Sequence, residues 1–311
     1  MNKDKLLNPA TKRRLRYSSI SARLQFNLLM VLYRLAFTRF FYGHYARNLA
    51  RLFPKSNAVW LHLDDGPGFR ISLDDAYWTR FALYRFPYEP EVDLILRASI
   101  GQTSLFCDLG ANKGYWTTRA APLFQSIIAV EASAQTFDTL RKNTEALTNV
   151  RLHHAAINDE SGETLTFVNT HLSHASARLL KDSKAGELDQ TETVSTLKVD
   201  DLVPVGMPAL IKMDVEGAEV NAIEGARRTI SEGSVLIYED HGADHDCAPS
   251  AHLLTLPEIN LYSIENGVKR MITLDQIRKT KTDSYKGYNF LAAQSNSPLL
   301  ARLTEHFANH E

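Results

Sequence analysis

Cysteine is almost missing from this 311-residue chain: Cys107 and Cys247 are the only two, and they stand 140 positions apart. That scarcity excludes a disulfide-stapled scaffold and makes a reducing compartment, the cytoplasm, the default expectation. A secretory signal pattern is missing too, because the charged start is not followed by a clean apolar core and a small-residue cleavage site. No internal repeat or low-complexity segment stands out. Nor is there an unbroken apolar run of the ~20 residues that a membrane-spanning helix requires. The most apolar stretch, Leu24 to Tyr42, is interrupted by Arg34 and Arg39, and each charge at mid-bilayer costs roughly 2.5 to 3.5 kcal/mol.

Net charge is also low, at −1, but it is unevenly distributed. Residues 1–56 hold twelve Lys or Arg against one acid, Asp4, for a net +11, so the remainder carries −12. Such a basic segment reads in two ways: a helical extension packed on the rest of the chain or on a second subunit, or an interfacial helix resting on anionic lipid. The packed extension is the default, and Lys12, Arg13, Arg14 and Arg16 beside aliphatic and aromatic residues are what support the lipid reading. Nucleic acid is not expected, since no base-reading motif accompanies the charge. The chain divides by pattern into a basic amphipathic extension (1–56), lead-in strands and a helix (57–100), a main domain (101–296) and a C-terminal tail (297–311).

The dinucleotide fingerprint G-x-G-x-x-G is missing as well. In its place, after the apolar run Ser104 to Cys107, stands Asp108-Leu-Gly110-Ala111-Asn112-Lys113-Gly114. A buried strand ending in an acid and a Gly-rich turn that opens a helix surrounds a nucleotide-like ligand with backbone N–H groups and a carboxylate. An acid aimed into such a turn opposes a pyrophosphate and welcomes a cation, which favours S-adenosylmethionine over NAD. The next apolar run, Ser126 to Val130, ends in Glu131, 21 residues past Gly110, where an α/β nucleotide site places the carboxylate that accepts ribose hydroxyls. Plain turn chemistry at the first site and a helix cap at the second remain the bland alternatives.

Strands and helices alternate. Strands are predicted over Ala58 to Leu63, Phe69 to Leu73 (about the turn Asp64 to Gly68), Val150 to Ile157, Thr164 to Asn169, Thr193 to Val199, Ala209 to Met213, Ser234 to Tyr238, Leu261 to Glu265 and Tyr288 to Ala293. Helices are predicted over Glu91 to Ser99, Ala134 to Ala146 and Ala218 to Ile230. This pattern is an α/β, Rossmann-like fold, a mostly parallel sheet with helices on both faces. Such sheets bind ligands at the carboxyl ends of their strands, and those ends read Asp108, Glu131, Asp159, Asp214 with Glu216, then Glu239, Asp240 and His241. If the strand persists, Asp214 and Glu216 share a side; Glu219 starts a helix, where an acid suits the dipole. His153 and His154 read as satisfied structural side chains.

The chain resembles the FkbM family of S-adenosylmethionine-dependent methyltransferases over roughly Tyr88 to Ala293. The matching pieces are Tyr88 to Val92, Asp108 to Thr117, Val130-Glu-Ala-Ser133, Ala156 to Gly162, Val199 to Leu202, Ile211-Lys-Met-Asp-Val-Glu-Gly-Ala-Glu219 and Tyr238-Glu-Asp-His241. The resemblance implies a seven-stranded class I methyltransferase sheet with its last strand antiparallel. It also implies S-adenosylmethionine held by Asp108, Gly110, Ala111, Asn112, Gly114, Glu131, Ala132, Ser133, Ile157, Asp159 and Asp214. Two positions depart from the family pattern: Lys113 in the turn and Asp240, both usually apolar there.

Methyl transfer from a sulfonium is an in-line displacement that mainly needs alignment, with the acceptor about 3 to 3.5 Å from the carbon. A hydroxyl acceptor must also lose its proton, and His241 is the first candidate base because imidazole titrates near neutrality. Asp214 is the second, with Glu239 beside them. Asp214, Glu239 and His241 are also a weaker candidate set for a divalent metal, with Asp244 to Cys247 nearby. The expected acceptor is a hydroxyl on a sugar, glycolipid or other small molecule. A nicotinamide oxidoreductase and a catalytically inactive membrane-associated binding protein are the alternatives. A homodimer and peripheral contact with the inner face of a membrane complete the expectations.

Overall fold

This computed structural model describes residues 13–35, 42–64, 66–84, 88–169, 177–179, 190–264, 268–271 and 273–308. Lys12, Arg39, Asp65 and Glu265, which figure in the sequence reading, lie outside them. The chain forms two compact units divided between Pro90 and Glu91.

The first unit contains β1 (Arg13–Tyr17), α1 (Ile20–Leu35), α2 (Tyr42–Ala50), β2 (Ala58–Leu63), β3 (Gly68–Ser72) and α3 (Ala76–Tyr84). Its three strands make an antiparallel sheet in the order β1-β2-β3. The basic extension is therefore not helical throughout: Arg13–Tyr17 pairs along its length with Val59 to Leu63. The reason is a period of two hidden under the charge, with Arg14 and Arg16 exposed and Leu15 and Tyr17 half-buried.

The second unit contains α4 (Pro90–Ala98), β4 (Leu105–Leu109), α5 (Tyr115–Ala120), β5 (Ser126–Glu131), α6 (Ala134–Thr144), β6 (Val150–His154), β7 (Ala156–Ile157), β8 (Thr164–Asn169), β9 (Ala177–Leu179), β10 (Gln190–Leu197), α7 (Val199–Leu202) and β11 (Ala209–Met213). It continues with α8 (Glu219–Glu224), α9 (Arg227–Ser231), β12 (Val235–His241), α10 (Ala248–Leu253), β13 (Ile259–Ile264), β14 (Val268–Met271), α11 (Leu274–Thr280), β15 (Gly287–Gln294) and α12 (Pro298–Ala308). The main sheet runs β14-β13-β15-β12-β11-β4-β5-β6. Five neighbouring strands, β12 through β6, are parallel, and β15 is antiparallel to both its neighbours. Seven of these strands form a Rossmann-like sheet; the hairpin strand β14 adds an eighth at the edge.

β4 and β11 are buried at every position, as strands covered on both faces must be. The chain leaves β4 in one direction to β5 and β6, then returns to β11 on the other side of β4. That reversal opens a crevice at the carboxyl ends of β4 and β11.

In the second unit, three stretches also differ from the sequence reading. Val150 to Ile157 is two strands, because Ala155 N–H donates to the Glu131 carbonyl and β7 turns into a separate four-stranded sheet, β7-β10-β8-β9. Ala218 to Ile230 is two short helices. They meet near Gly225, where a Cβ would lie 2.3 Å from the Asn158 carbonyl oxygen. The C-terminal segment is no loose tail: Pro298–Ala308 is a helix with Leu299, Leu300 and Leu303 buried. Ser297 starts it by accepting from Leu300 N–H at 3.2 Å.

Candidate functional site

The turn after β4 is shaped by the close approach of two strand ends. Gly110 has φ +76°, and a Cβ there would lie 1.8 Å from the backbone oxygen of Asp214. Asp214 N–H in turn donates to the Leu109 carbonyl at 3.0 Å. Only a residue without a side chain lets β4 and β11 finish in such contact. The turn's amides then find partners inside the chain. Gly110 and Ala111 donate to the Val130 carbonyl at 3.0 and 2.9 Å, and Gly114 donates to the Ala111 carbonyl at 2.9 Å. Asn112 donates to Glu131 Oε2 at 2.9 Å and Lys113 to Asn112 Oδ1 at 2.8 Å.

This corrects the expectation of a backbone N–H cradle. A phosphate loop aims several N–H groups at its ligand, whereas every amide from Gly110 to Gly114 has a protein acceptor. The turn therefore acts as a rigid wall and not as an anion nest. Such a turn favours a donor without a pyrophosphate.

Glu131, at the end of β5, takes one amide on each oxygen: Asn112 on Oε2 and Ser133 on Oε1, both at 2.9 Å. A carboxylate has about four lone-pair sites, so a fixed Glu131 keeps acceptor capacity for two vicinal hydroxyls. Burial pushes its carboxyl up to about 7, against the lowering effect of the Ser133, Asn112 and Ala132 amides. Ser133 caps α6 through Thr136 N–H. The Ala132 carbonyl is bonded by His154 Nε2 at 3.0 Å. Ile157 is buried, while Asp159 is exposed. The buried neighbour of Asp159, Asn158, is held by Asn221 at 2.8 Å.

Asp108 is sealed at 1 % exposure, with Thr117 Oγ1 donating to its Oδ2. It is not a bare carboxylate aimed into the turn, and desolvation raises its pKa while Lys212 opposes the rise. Lys212, which the sequence reading assigned no role, is the cation of this site. It pairs in register with Asp108 across β4 and β11, is 2 % exposed, and donates to Asp214 Oδ2 at 2.9 Å. A lysine inside the apolar run Ala209–Met213 was the available signal, because a fully buried ammonium needs anionic partners. Burial disfavours the charge on Asp108, and the Lys212 ammonium is matched by Asp214.

At the next strand end, Glu239 and Asp214 bring carboxylate oxygens within 4.8 Å of each other. Gly287 makes room for this: a Cβ there would sit 2.0 Å from Glu239 Oε1. His241 is a different case. It is exposed at the end of β12, and its Nδ1 lies 3.2 Å from Ala243 N–H. That bond makes Nδ1 the acceptor and puts the neutral ring's proton on Nε2, so its one lone pair is already engaged. Among the described residues it joins no ligand group with Asp214 and Glu239. Neither the base nor the three-residue metal set read from the sequence is assembled around His241.

Asp240 points to the other face of β12, where it accepts from Ser250 and pairs with Lys281; Tyr238 joins through Ser250 at 2.9 Å. This departure from the family pattern is thus a buried structural network. Lys113 is half-buried. Glu216 does not continue the strand: it has φ +45° and is exposed. Glu219 accepts from Gly217 N–H at 2.9 and 3.0 Å. Of the two histidines on β6, His154 is satisfied and stacked on Phe137, but His153 Nε2 is buried without a hydrogen-bond partner, and desolvation lowers its pKa.

The methyltransferase FkbM domain matches residues 108–264, half of the chain. Among solved structures, the FkbM methyltransferase from Methylobacillus flagellatus aligns at 17 % identity and TM-score 0.38, covering 71 % of this chain and 54 % of that one. This chain thus spans about half the length of that relative. The precorrin-6y C5,15-methyltransferase from Geobacter metallireducens aligns at 15 % identity and TM-score 0.37, covering 67 % and 88 %. The O-methyltransferase from Bacillus cereus, in complex with SAH, aligns at 13 % identity and TM-score 0.38, covering 70 % and 88 %. No curated protein matches. From the glycine turn of β4 through β13, the chain belongs to the FkbM methyltransferase family.

Proposed function

We propose that the protein transfers a methyl group from S-adenosylmethionine to a hydroxyl on a sugar, glycolipid or other small molecule. Family membership supports the methyl transfer. The observation that carries the oxygen acceptor is the approach of Asp214 and Glu239 within 4.8 Å, at strand ends adjoining the glycine turn. The residues present fit the donor. Glu131 offers fixed acceptors for ribose hydroxyls, and the turn offers no amides to a pyrophosphate.

The donor supplies an already activated methyl on a sulfonium. The chain's own task is to align the acceptor, exclude water and take up one proton. Lys212 holds Asp214 in place, which makes Asp214 the orienting carboxylate and Glu239 the group that accepts the hydroxyl proton.

The test is mass spectrometry of hydroxylated glycans and lipid extracts incubated with the protein and methyl-deuterated donor. The expected result is a product heavier by one trideuteromethyl group, mapped to oxygen. Tight binding of S-adenosylhomocysteine with no labelled product from any extract would mark an inactive binding protein, and label on nitrogen or sulfur would overturn the acceptor class.

A further inference from the structure

Helix α1 has two apolar faces, and among the described residues only one of them is covered. Ala22, Gln25, Phe26 and Leu29 are buried. Gln25 Oε1 accepts from the Asn57 amide at 2.8 Å, and Phe26 meets Tyr17 edge-on with ring centroids 5.5 Å apart. The other face carries Ile20, Leu24, Leu28 and Val31, which are 90, 54, 39 and 53 % exposed. At roughly 100° and 1.5 Å per residue these four fall within an arc of about 80° along about 16 Å of helix. They form one continuous stripe and not scattered exposures.

One flank of the stripe is cationic. Arg23 and Arg34 are exposed and fall on that flank by the same helical count. Neither α1 nor β1 contains an acid.

We propose that this face of α1 docks on an anionic lipid surface. The aliphatic stripe enters the headgroup boundary, and the arginines meet lipid phosphates. Charge singles out this occupant. A second copy docking symmetrically through the same face would set Arg23 and Arg34 against their own counterparts, whereas an anionic bilayer offers opposite charge together with an apolar layer. The helix lies on the surface and does not cross it, since 16 residues reach about 24 Å against a hydrocarbon core of about 30 Å.

The full-length chain sedimented with vesicles tests this without reference to catalysis. The expected result is pelleting with phosphatidylcholine–phosphatidylglycerol vesicles, little with phosphatidylcholine alone, and release at high salt. Leu24→Asn/Leu28→Asn/Val31→Asn should weaken binding at least about tenfold, since three buried aliphatic side chains are lost. Arg23→Gln/Arg34→Gln should remove the preference for anionic lipid. All substituted side chains are exposed, and matched thermal melts check the fold of each variant. Wild-type protein that stays in the supernatant with anionic vesicles overturns the proposal, as does a triple-Asn variant that pellets like wild type. A lipid-free dimer of the wild type that the triple variant breaks, with no vesicle binding, shows that the stripe is instead a contact between copies of the chain.

Discussion

The two halves of the site are held by different means. At the ends of β4 and β5, main-chain amides do the positioning: Glu131 sits between the N–H groups of Asn112 and Ser133, and the turn's own amides close on Val130 and Ala111. At the ends of β11 and β12, side chains do it. Asp214 is held by Lys212 from two residues back, and Glu239 occupies space that Gly287 leaves open. A group held by backbone is fixed by the local chain path and tolerates little change. A group held by side chains is reset by single substitutions, which suits the half of a family's site that must meet different acceptors.

The largest expected effect belongs to the point where the halves meet. Gly110→Ala would force a Cβ into the Asp214 carbonyl from a left-handed backbone, and should cost at least about 4 kcal/mol in a urea melt. A loss under about 1 kcal/mol would show that this contact does not tie the strands together. Next comes Lys212→Met, which strands two carboxylates and should cost about 3 to 5 kcal/mol. Adding Asp108→Asn should recover part of it, and strict additivity in that cycle would deny that the two groups interact.

The donor half is sharpened by pH. In the proposed role Glu131 accepts ribose hydroxyls as a carboxylate, and burial pushes its carboxyl up to about 7. Affinity for S-adenosylhomocysteine should therefore be flat above that pH and fall about tenfold per unit below it. Glu131→Gln should bind weakly at all pH, and calorimetry that finds wild-type affinity unchanged between mildly acid and mildly alkaline buffer contradicts the assignment. On the acceptor half, Glu239→Gln should lower turnover by about 10² or more with donor affinity kept. His241→Ala should change turnover least, by under about threefold, because its lone pair already serves the backbone. The reverse order of these two would restore the histidine as base.

Legibility in the sequence followed the same division. The glycine turn, the acid ending β5 and the alternation of buried strands depend on local spacing, and the parallel sheet and its donor edge were readable from them. The amide partners were not, because Val130 and Glu131 answer the turn from the neighbouring strand, a tertiary relation that spacing does not carry. Lys212 was visible as an odd residue in an apolar strand, but its meaning needed the register that sets it against Asp108. His241 looked like the base because imidazole titrates near neutrality, while the bond from Ala243 N–H belongs to a turn with no marked motif. β1 was hidden because its arginines were counted as charge before being read for alternation.

The central claim is that the glycine turn and Glu131 form a donor site without a phosphate cradle. Parallel calorimetric titrations of the full-length chain with S-adenosylhomocysteine and NADH test it most directly. The account predicts saturable binding of the first, with a Kd at or below about 100 μM, and no heat from the second. Binding of NADH comparable to that of S-adenosylhomocysteine would contradict it.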